Sequence, residues 1–355
     1  MIQDARPVLV TGGTGLIGGE SIATLLERGW NVRAVARGSD AAEAERRIRE
    51  RLARSGRREP WDGRLSCHAG SVTATDFGLR PAAFDGLRAI LHCAGETAFN
   101  EDEKCWATNV GAAERLVELA RSLKNPPRIY FVSTASVCMG PRHSEISEDT
   151  PFGGYENGYT RSKRKAEVVL LESGLDVVIL RPTIVFSRGV QDRKMARAML
   201  WVIPALMELG EAPVEPGDRI DIIPVDFAAD AIERFLRIPK PRHRRYHVSA
   251  GRAGSATCAE FQETVAEVDP RAKQIAMGAR EGRSPKRAQD QLRRRLEEAI
   301  SHYVPFMSAD VVYSCDRLRA EVGPELGPCP KVTEYVDGLL GQFEYQEGIE
   351  ESARP

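Results

Sequence analysis

The sequence predicts an α/β fold, a doubly wound parallel sheet of the Rossmann type with a smaller, helix-rich substrate lobe. Two observations carry this. Short apolar runs alternate with helical patterns through the first two-thirds of the chain, and such alternation implies a parallel sheet covered on both faces. A glycine-rich turn, Thr11 to Gly18, stands between the first apolar run and the first helix. Open sheets of this kind take ligands at the carboxyl ends of their strands.

The elements follow in order. Val8 to Val10 is the first strand. Leu16 to Arg28 is a helix, with Ile17, Ile22, Leu25 and Leu26 on one face. Asn31 to Ala36 is the second strand, and Asp40 to Ser55 a charged helix. Leu65 to Ala69 and Ala89 to Cys93 are the third and fourth strands, and Glu103 to Leu123 a long helix. Arg128 to Val132, stopped upstream by Pro126 and Pro127, is the fifth strand. Glu156 to Ser173 is a helix and Val177 to Leu180 the sixth strand. Beyond Arg181-Pro182 the pattern loosens. Ile220 to Ile223 and Tyr246 to Ser249 read as short strands, and Asp226 to Arg237 as a helix. Thr257 to Val268, Lys286 to Tyr303 and Lys331 to Phe343 read as further helices. The expected division is a dinucleotide-binding core over 1–186, rejoined by 220–250. Residues 187–219 and 251–345 form the substrate lobe, and 346–355 a frayed tail.

Composition narrows the function. The 355 residues hold 50 Lys and Arg against 51 Asp and Glu, so no global field favours nucleic acid or an acidic membrane. Seven scattered cysteines with no C-x-x-C pair argue against a disulfide framework or structural zinc. The six histidines form no H-E-x-x-H pattern, and no catalytic metal is expected. The N-terminus lacks a secretory pattern. No run of about 18 apolar residues is present, so no membrane span is expected. These features fit a cytoplasmic, reducing setting. The most apolar stretch, Met195 to Leu209, is interrupted by Arg197 and reads as a cap or cleft lining.

Thr11-Gly12-Gly13-Thr14-Gly15-Leu16-Ile17-Gly18 is a T-G-x-x-G-x-x-G loop. Gly12 permits the tight turn, Gly15 a close approach to a pyrophosphate, and Gly18 close helix packing. Thr14, Leu16 and Ile17 bring the helix N-terminus, with its free N–H groups, to the anion. Arg37 ends the second strand, with Arg33 nearby and no acid adjacent. An acid there holds the ribose 2′-hydroxyl of NAD, whereas an Arg accommodates the 2′-phosphate of NADP. NADP(H) is therefore the preferred cofactor, with NAD(H) possible.

Tyr159-Thr160-Arg161-Ser162-Lys163 is Y-x-x-x-K within a helix, which puts both side chains on one face. A free tyrosine titrates near pH 10, and bringing it towards neutrality takes about 4 kcal/mol of differential stabilisation. Lys163, with the positive nicotinamide ring of an oxidised cofactor, is expected to supply it. Tyr159 then acts as general acid or base. Thr134, in the loop after the fifth strand, is the hydroxyl expected to hydrogen-bond the substrate oxygen, with Ser133 and Ser136 as turn or packing residues. Ala94 and Gly95 close the fourth strand beside the cofactor. His92 reads as a buried, satisfied strand histidine. Asn109 sits mid-helix, where it is unfavourable by propensity, and is assigned a polar role bridging the site. Pro182, Thr183 and Ile184 bring backbone to the nicotinamide end.

Taken together, TGGTGLIG, HCAG, NVGAAERL, VSTASV, YTRSK and LRPTIVFS resemble the successive motifs of the extended short-chain dehydrogenase/reductase superfamily over about residues 7–250. That resemblance implies NAD(P) binding at Gly12, Gly15 and Gly18, with Thr134, Tyr159 and Lys163 catalytic. Within it the chain is most similar to the thioester reductase and fatty acyl reductase branch. Three stretches carry this: the charged helix after Arg37, ending in Arg46, Arg47 and Leu52; Gly70-Ser71-Val72-Thr73 leading to Asp76-Phe77-Gly78-Leu79; and Asp221-Ile222-Ile223-Pro224-Val225-Asp226. The branch reduces acyl thioesters of coenzyme A or carrier proteins with NADPH. It implies adenine-side contacts at Ser71 and Val72, although Ser71 stands where the branch usually has an acid. The expected substrate is a small-molecule or carrier-bound acyl group, and the expected assembly a monomer or homodimer.

Other readings stay open at this point. One is a nucleotide-sugar epimerase or dehydratase with tightly bound NAD. Another is a simple ketone or aldehyde reductase. A third is an NADP-binding sensor or scaffold without turnover. The basic stretch Arg280, Arg283, Lys286, Arg287, Arg293, Arg294 and Arg295 is either a solvated face or a receiver for a coenzyme A or carrier phosphate.

Overall fold

Seven strands form the central sheet: β1 (Val8–Thr11), β2 (Val32–Ala36), β3 (Leu65–Ala69), β4 (Ala89–His92), β5 (Arg128–Val132), β6 (Val177–Pro182) and β7 (Arg245–Val248). Every pairing among them is parallel. Their order across the sheet is β7-β6-β5-β4-β1-β2-β3. The winding therefore reverses between β1 and β4, which opens a crevice at their carboxyl ends. In this computed structural model the described residues are 5–54, 56, 61, 63–99, 101–153, 157–187, 201–278, 291–336 and 340.

The helices are α1 (Leu16–Glu27), α2 (Ala41–Arg54), α3 (Gly111–Ser122), α4 (Gly158–Glu172), α5 (Val202–Leu209), α6 (Val225–Arg237), α7 (Cys258–Val268), α8 (Gln291–Ser301) and α9 (Asp316–Leu326). Strand side chains alternate between the two sheet faces. Val8 and Val10 of β1 pack with Ile22, Leu25 and Phe235 on the side of α1 and α6. Leu9 packs with Leu116, Ala166 and Leu170 on the side of α3 and α4. Both faces are dry, as a parallel sheet requires.

Three expectations are corrected. The long helix over 103–123 is broken into Asp102–Cys105, a π-helical stretch Trp106–Val110, and α3. The amide of Asn109 is occupied by groups outside the helix, and the π-helical turn aims it there. The strand expected over 220–223 splits at Asp221. Arg219–Ile220 pairs antiparallel with Ala256–Thr257, whereas Ile222–Pro224 pairs parallel with Ile184–Phe186. Asp221 is buried between them and accepts bonds from Thr183 Oγ1 at 2.9 Å and Ala250 N at 3.0 Å. Helix α9 was not expected, because Gly323 and Pro324 in its last turns mask a short helical pattern; Leu318 and Val322 bury its inner face.

The lobe has its own apolar centres. Trp201, Val202, Ala205, Leu206 and Leu209 pack with Leu296 and Ile300 of α8. Val265, Ala266, Val332 and Val336 form a second cluster. Strand Val312–Tyr313 pairs parallel with Glu145–Ile146, which binds the lobe to the loop after β5. A side-chain bond between His143 and Asp310 closes the same junction. The carboxylate of Asp218 lies beside this pair, but Arg142 already holds both of its oxygens, at 2.5 and 2.7 Å.

Several expectations fall outside the described residues: the apolar stretch before residue 201, Glu156 at the start of the α4 pattern, Arg280, Arg283, Lys286 and Arg287, the end of the 331–343 helix, and the tail. Of the basic stretch, Arg293 is described. It binds Glu297, Glu211 and the carbonyl of Leu209, so it serves the packing of α8 on α5. Among the described residues, no helix is long and apolar enough to cross a membrane. All seven cysteines are free.

Glu167 of α4 and Arg181 of β6 form an ion pair with no side-chain exposure on either partner. Arg181 Nε donates to Glu167 Oε1 at 3.0 Å and Nη2 to Oε2 at 2.6 Å, while Nη1 reaches the carbonyl of Glu148 at 3.2 Å. Removing one charge strands the other in the core. Glu167→Gln is therefore expected to lower stability by about 3–5 kcal/mol, read from the urea midpoint. Glu167→Leu combined with Arg181→Met should lose distinctly less; equal losses would show that packing, not charge, holds the pair.

Candidate active site

The phosphate loop is built as its glycines suggest. Gly12 has φ +71° and lies so close to the fourth-strand loop that a Cβ would sit 2.6 Å from Ala94 N. A Cβ on Gly18 would sit 2.3 Å from the carbonyl oxygen of Gly12. At Gly15 the only near neighbour is that same carbonyl, at 3.2 Å, so the outer side of the turn is open. Helix α1 starts at Leu16 with no side-chain cap and no acid in its first turn. The first-turn N–H groups of Leu16, Ile17 and Gly18, which the helix itself leaves without an acceptor, suit an anion. The loop thus fits a dinucleotide pyrophosphate.

One arginine that the sequence reading did not single out supports the turn from below. Arg51 of α2 is buried, and its Nε and Nη2 donate to the carbonyls of Gly15 and Leu16 at 3.1 and 3.2 Å. Gly19 makes room for it, since a Cβ there would lie 2.6 Å from Arg51 Cγ.

At the end of β2, Arg37 is exposed. Arg47, one helix further on, donates to the Arg37 carbonyl at 2.6 Å, so two guanidinium groups flank this corner. Asp40 is occupied as the cap of α2, accepting from Glu43 N at 2.8 Å. Arg33 faces elsewhere: its Nη1 donates to the carbonyls of Ala83 and Asp85 at 3.0 and 2.7 Å. After β3, Ser71 Oγ lies 2.8 Å from Thr73 Oγ1, and Ser71 N donates to the carbonyl of Phe77. Val72 packs against the rim of the core. The turn is held tightly, with Asp76 and Phe77 at φ +47° and +56°.

The catalytic candidates converge at the ends of β4 and β5. Helix α4 begins with a capping box in which Asn157 Oδ1 accepts from Thr160 N at 2.8 Å. That start fixes the rotation of the helix and turns Tyr159 and Lys163 inward. Thr134 caps the short turn 135–137; its Oγ1 accepts from Ser136 N at 3.3 Å, and its hydroxyl bonds the phenol oxygen of Tyr159. Lys163 Nζ donates to the Val132 carbonyl at 2.9 Å and lies 4.8 Å from the centre of the Phe131 ring. A Cβ on Gly95 would meet Asn109 Oδ1 at 2.9 Å and Lys163 Nζ at 3.0 Å, so these three residues share one point.

Asn109 is fully used. Its Oδ1 accepts from Glu96 N at 2.9 Å, and its Nδ2 donates to the Glu96 carbonyl and to Ser162 Oγ at 3.0 and 2.9 Å. It holds the loop of Ala94 and Gly95 against α4. His92 is buried and stacks on Phe131, with Nδ1 3.1 Å from Thr11 Oγ1. Burial, and then the Lys163 charge, push it down to about 3, so it is neutral. Pro182, Thr183 and Ile184 lie at the end of β6, where Thr183 gives its hydroxyl to Asp221 and Ile184 pairs with Ile222.

The electrostatics differ from the expected Tyr–Lys coupling. Burial pushes the Tyr159 phenol up to about 12, against a lowering by the Thr134 bond. Burial likewise pulls the Lys163 ammonium down to about 8. Lys163 is turned to a carbonyl rather than to the phenol, and desolvation outweighs charge at both groups.

Sequence reasoning missed a group of rings over Tyr159. Phe99, from the loop after β4, lies 5.8 Å from the Tyr159 ring centre. From the lobe, Tyr303 and Phe306 approach Phe99 at 5.0 and 5.1 Å, and Trp201 meets Tyr303 edge-on at 5.5 Å. Four rings from three distant stretches leave no local pattern. The one available signal was an aromatic residue, Phe99, directly after the loop Ala94–Ala98.

The profile of the NAD-binding male sterility protein family matches residues 10–232. The nonribosomal peptide synthetase asaC of Aspergillus flavus is 27% identical over 68% of this chain, and a carboxylic acid reductase of Segniliparus rugosus is 28% identical over 65%. The chain spans only 26% and 23% of their respective lengths. Among solved structures, the terminal R domain of the myxalamid PKS-NRPS pathway superposes with a TM-score of 0.76 at 21% identity, covering 97% of this chain and 93% of that one. A thiolation-reductase di-domain from an archaeal non-ribosomal peptide synthetase does so with a TM-score of 0.71 at 17% identity, covering 98% and 91%. The chain belongs to the male sterility protein family of NAD-binding domains and is an NAD(P)-dependent oxidoreductase.

Proposed function

We propose that this protein reduces an acyl thioester, held on coenzyme A or on a carrier protein, with NADPH as the donor. The observation that carries the reading is the chain Ser136 N–H to Thr134 Oγ1 to Tyr159 phenol, set beside Lys163 at the carboxyl ends of β4 and β5. The likeness to reductase domains of peptide synthetases and to a carboxylic acid reductase supports the substrate class. Arg37 and Arg47 support NADP over NAD, since two cations at the end of β2 match a 2′-phosphate.

The residues divide the work as follows. Gly12, Thr14, Gly15 and the start of α1 hold the pyrophosphate, with Arg51 fixing the turn. Ser71 and Val72 flank the adenine end, and Ala94, Gly95 and Pro182 to Ile184 the nicotinamide end. When bound there, a reduced dinucleotide would supply the hydride for the carbonyl carbon. Thr134 directs its hydroxyl at the Tyr159 oxygen and steadies negative charge there. Tyr159, protonated at neutral pH, gives its proton to the carbonyl oxygen as that oxygen becomes basic. Lys163, held by the Val132 carbonyl, keeps a positive charge in the site as negative charge develops. A thioester reduced in this way becomes a hemithioacetal, which collapses to aldehyde and thiol. Asn109 keeps the Gly95 loop in place and acts through position.

The first test follows NADPH absorbance, with NADH in parallel, over acyl-coenzyme A thioesters, aldehydes and ketones. Thioester turnover with NADPH preferred is expected. Turnover of aldehydes or ketones alone would keep the mechanism and discard the thioester. Arg37→Ala combined with Arg47→Ala should raise the KM for NADPH about 10- to 100-fold, as for loss of one or two charge-assisted bonds, and move that for NADH far less. Equal changes would remove the 2′-phosphate assignment. Tyr159→Phe should cut kcat by about 10²–10⁴-fold while NADPH still binds; retained turnover would move the acid elsewhere. In the reductive direction kcat/KM should be level at neutral pH and fall as the pH rises through about 8, where Lys163 loses its charge. Lys163→Met should abolish that fall, and a fall that persists in the variant would assign it to another group.

A further inference from the structure

We propose that Phe99, Tyr303 and Phe306 form the seat of the substrate's acyl group, and that this seat selects a flat, apolar acyl group, aryl or conjugated, over a charged or very short one. The proposal rests on the thioester-reductase reading above and names the acyl class within it.

Three observations point to a seat rather than to ordinary core. First, the place: Phe99 touches the Tyr159 ring, so whatever lies on these rings is one side chain away from the proton donor. Second, the exposure. The core rings Phe77, Phe131, Phe235 and Tyr246 are at most 1% exposed, whereas Phe99, Tyr159, Tyr303 and Phe306 are all half-buried. Apolar faces left half-wet beside a reacting group gain burial when an apolar ligand arrives. Third, the backing: Tyr303 packs on the fully closed cluster of Trp201, Leu206, Leu296 and Ile300, and Trp201 hydrogen-bonds the Tyr303 hydroxyl. The rings are therefore backed by the lobe's own apolar cluster while part of their surface stays exposed.

The geometry favours a planar guest. Phe99 and Phe306 are stacked at 5.1 Å with planes 25° apart, and Phe99 is tilted by 31° to Tyr159 and 44° to Tyr303. A planar group can slide along or extend such a stack, which a saturated chain matches less well. Charge selection follows from the rim. The nearby charges are already paired: Lys104 with Glu96 and Glu101, and Arg161 with Asp102. These cations already hold carboxylates, so an acyl carboxylate arriving here would have to displace a partner or lose its water uncompensated.

The test compares cinnamoyl-, octanoyl-, acetyl- and succinyl-coenzyme A by kcat/KM in the native protein and in Phe306→Ala and Phe306→Leu. Binding of NADPH checks that each variant is folded. The native order expected is cinnamoyl, octanoyl, acetyl, with succinyl lowest. In Phe306→Ala the cinnamoyl-to-acetyl ratio should fall about tenfold, the scale of specificity one apolar contact provides. Phe306→Leu should restore octanoyl more than cinnamoyl. A ratio unmoved in both variants, or succinyl rivalling octanoyl, overturns the seat while leaving thioester reduction intact. If no thioester turns over, the reading above fails separately, and the seat is tested by calorimetric binding of N-cinnamoyl-pantetheine, an amide that cannot be reduced. Binding weakened about tenfold in Phe306→Ala sustains the seat; no binding, or equal binding, overturns it.

Discussion

Helix α4 meets the sheet through charges taken wholly out of water. Glu167 bonds Arg181 of β6, and one turn earlier Lys163 bonds the last carbonyl of β5. One turn earlier again stands Tyr159. The three side chains are four residues apart and so share a face, which makes the ion pair an address for the phenol. A buried pair of this kind contributes little net stability, since desolvation offsets most of its attraction. Its value is to tie α4 to the sheet in this register, since a shift that parted the pair would strand both charges in the core. The same guanidinium also takes the Glu148 carbonyl, so the loop leading into α4 is set by the same contact.

Much of this was legible in the sequence because it is local. The glycine loop, the strand ends and Y-x-x-x-K each sit within about a dozen consecutive residues, and β3 and β5 were read to their exact limits. What was lost depends on distant partners. Nothing in N-V-G-A-A marks a π-helical turn; that turn exists because the Asn109 amide meets Glu96 and Ser162, in other elements. Asp221 splits an expected strand because Thr183 and Ala250 converge on it. The direction of the Tyr159 shift was also unreadable, since it depends on how deeply the fold buries the phenol.

The cofactor end and the substrate end of the site use different physics. The first is backbone: positive φ, missing Cβ atoms and helix N–H groups, with Arg51 bonding carbonyls from beneath. It tolerates almost no side-chain change at Gly12 or Gly18, because the nearest atoms are themselves main chain. The second is side chain, made of rings from the β4 loop and the lobe. Rings in contact can be exchanged without moving the main chain, so this face can diverge while the glycine loop stays the same.

The strand pair of Val312–Tyr313 with Glu145–Ile146 gives this a limit. Tyr313 is buried with Ala135 and Val137, the turn that Thr134 caps, and it hydrogen-bonds Ser136. Ser136 in turn supplies the N–H that orients the Thr134 hydroxyl. The lobe is thus not a detachable module of specificity. A graft of residues 251–308 from a relative would exchange the rings and keep the catalytic turn supported. A graft running through 315 would exchange that support as well. The boundary between what can be swapped and what must be inherited runs inside the lobe, between Ser308 and Val311, and not at the domain seam.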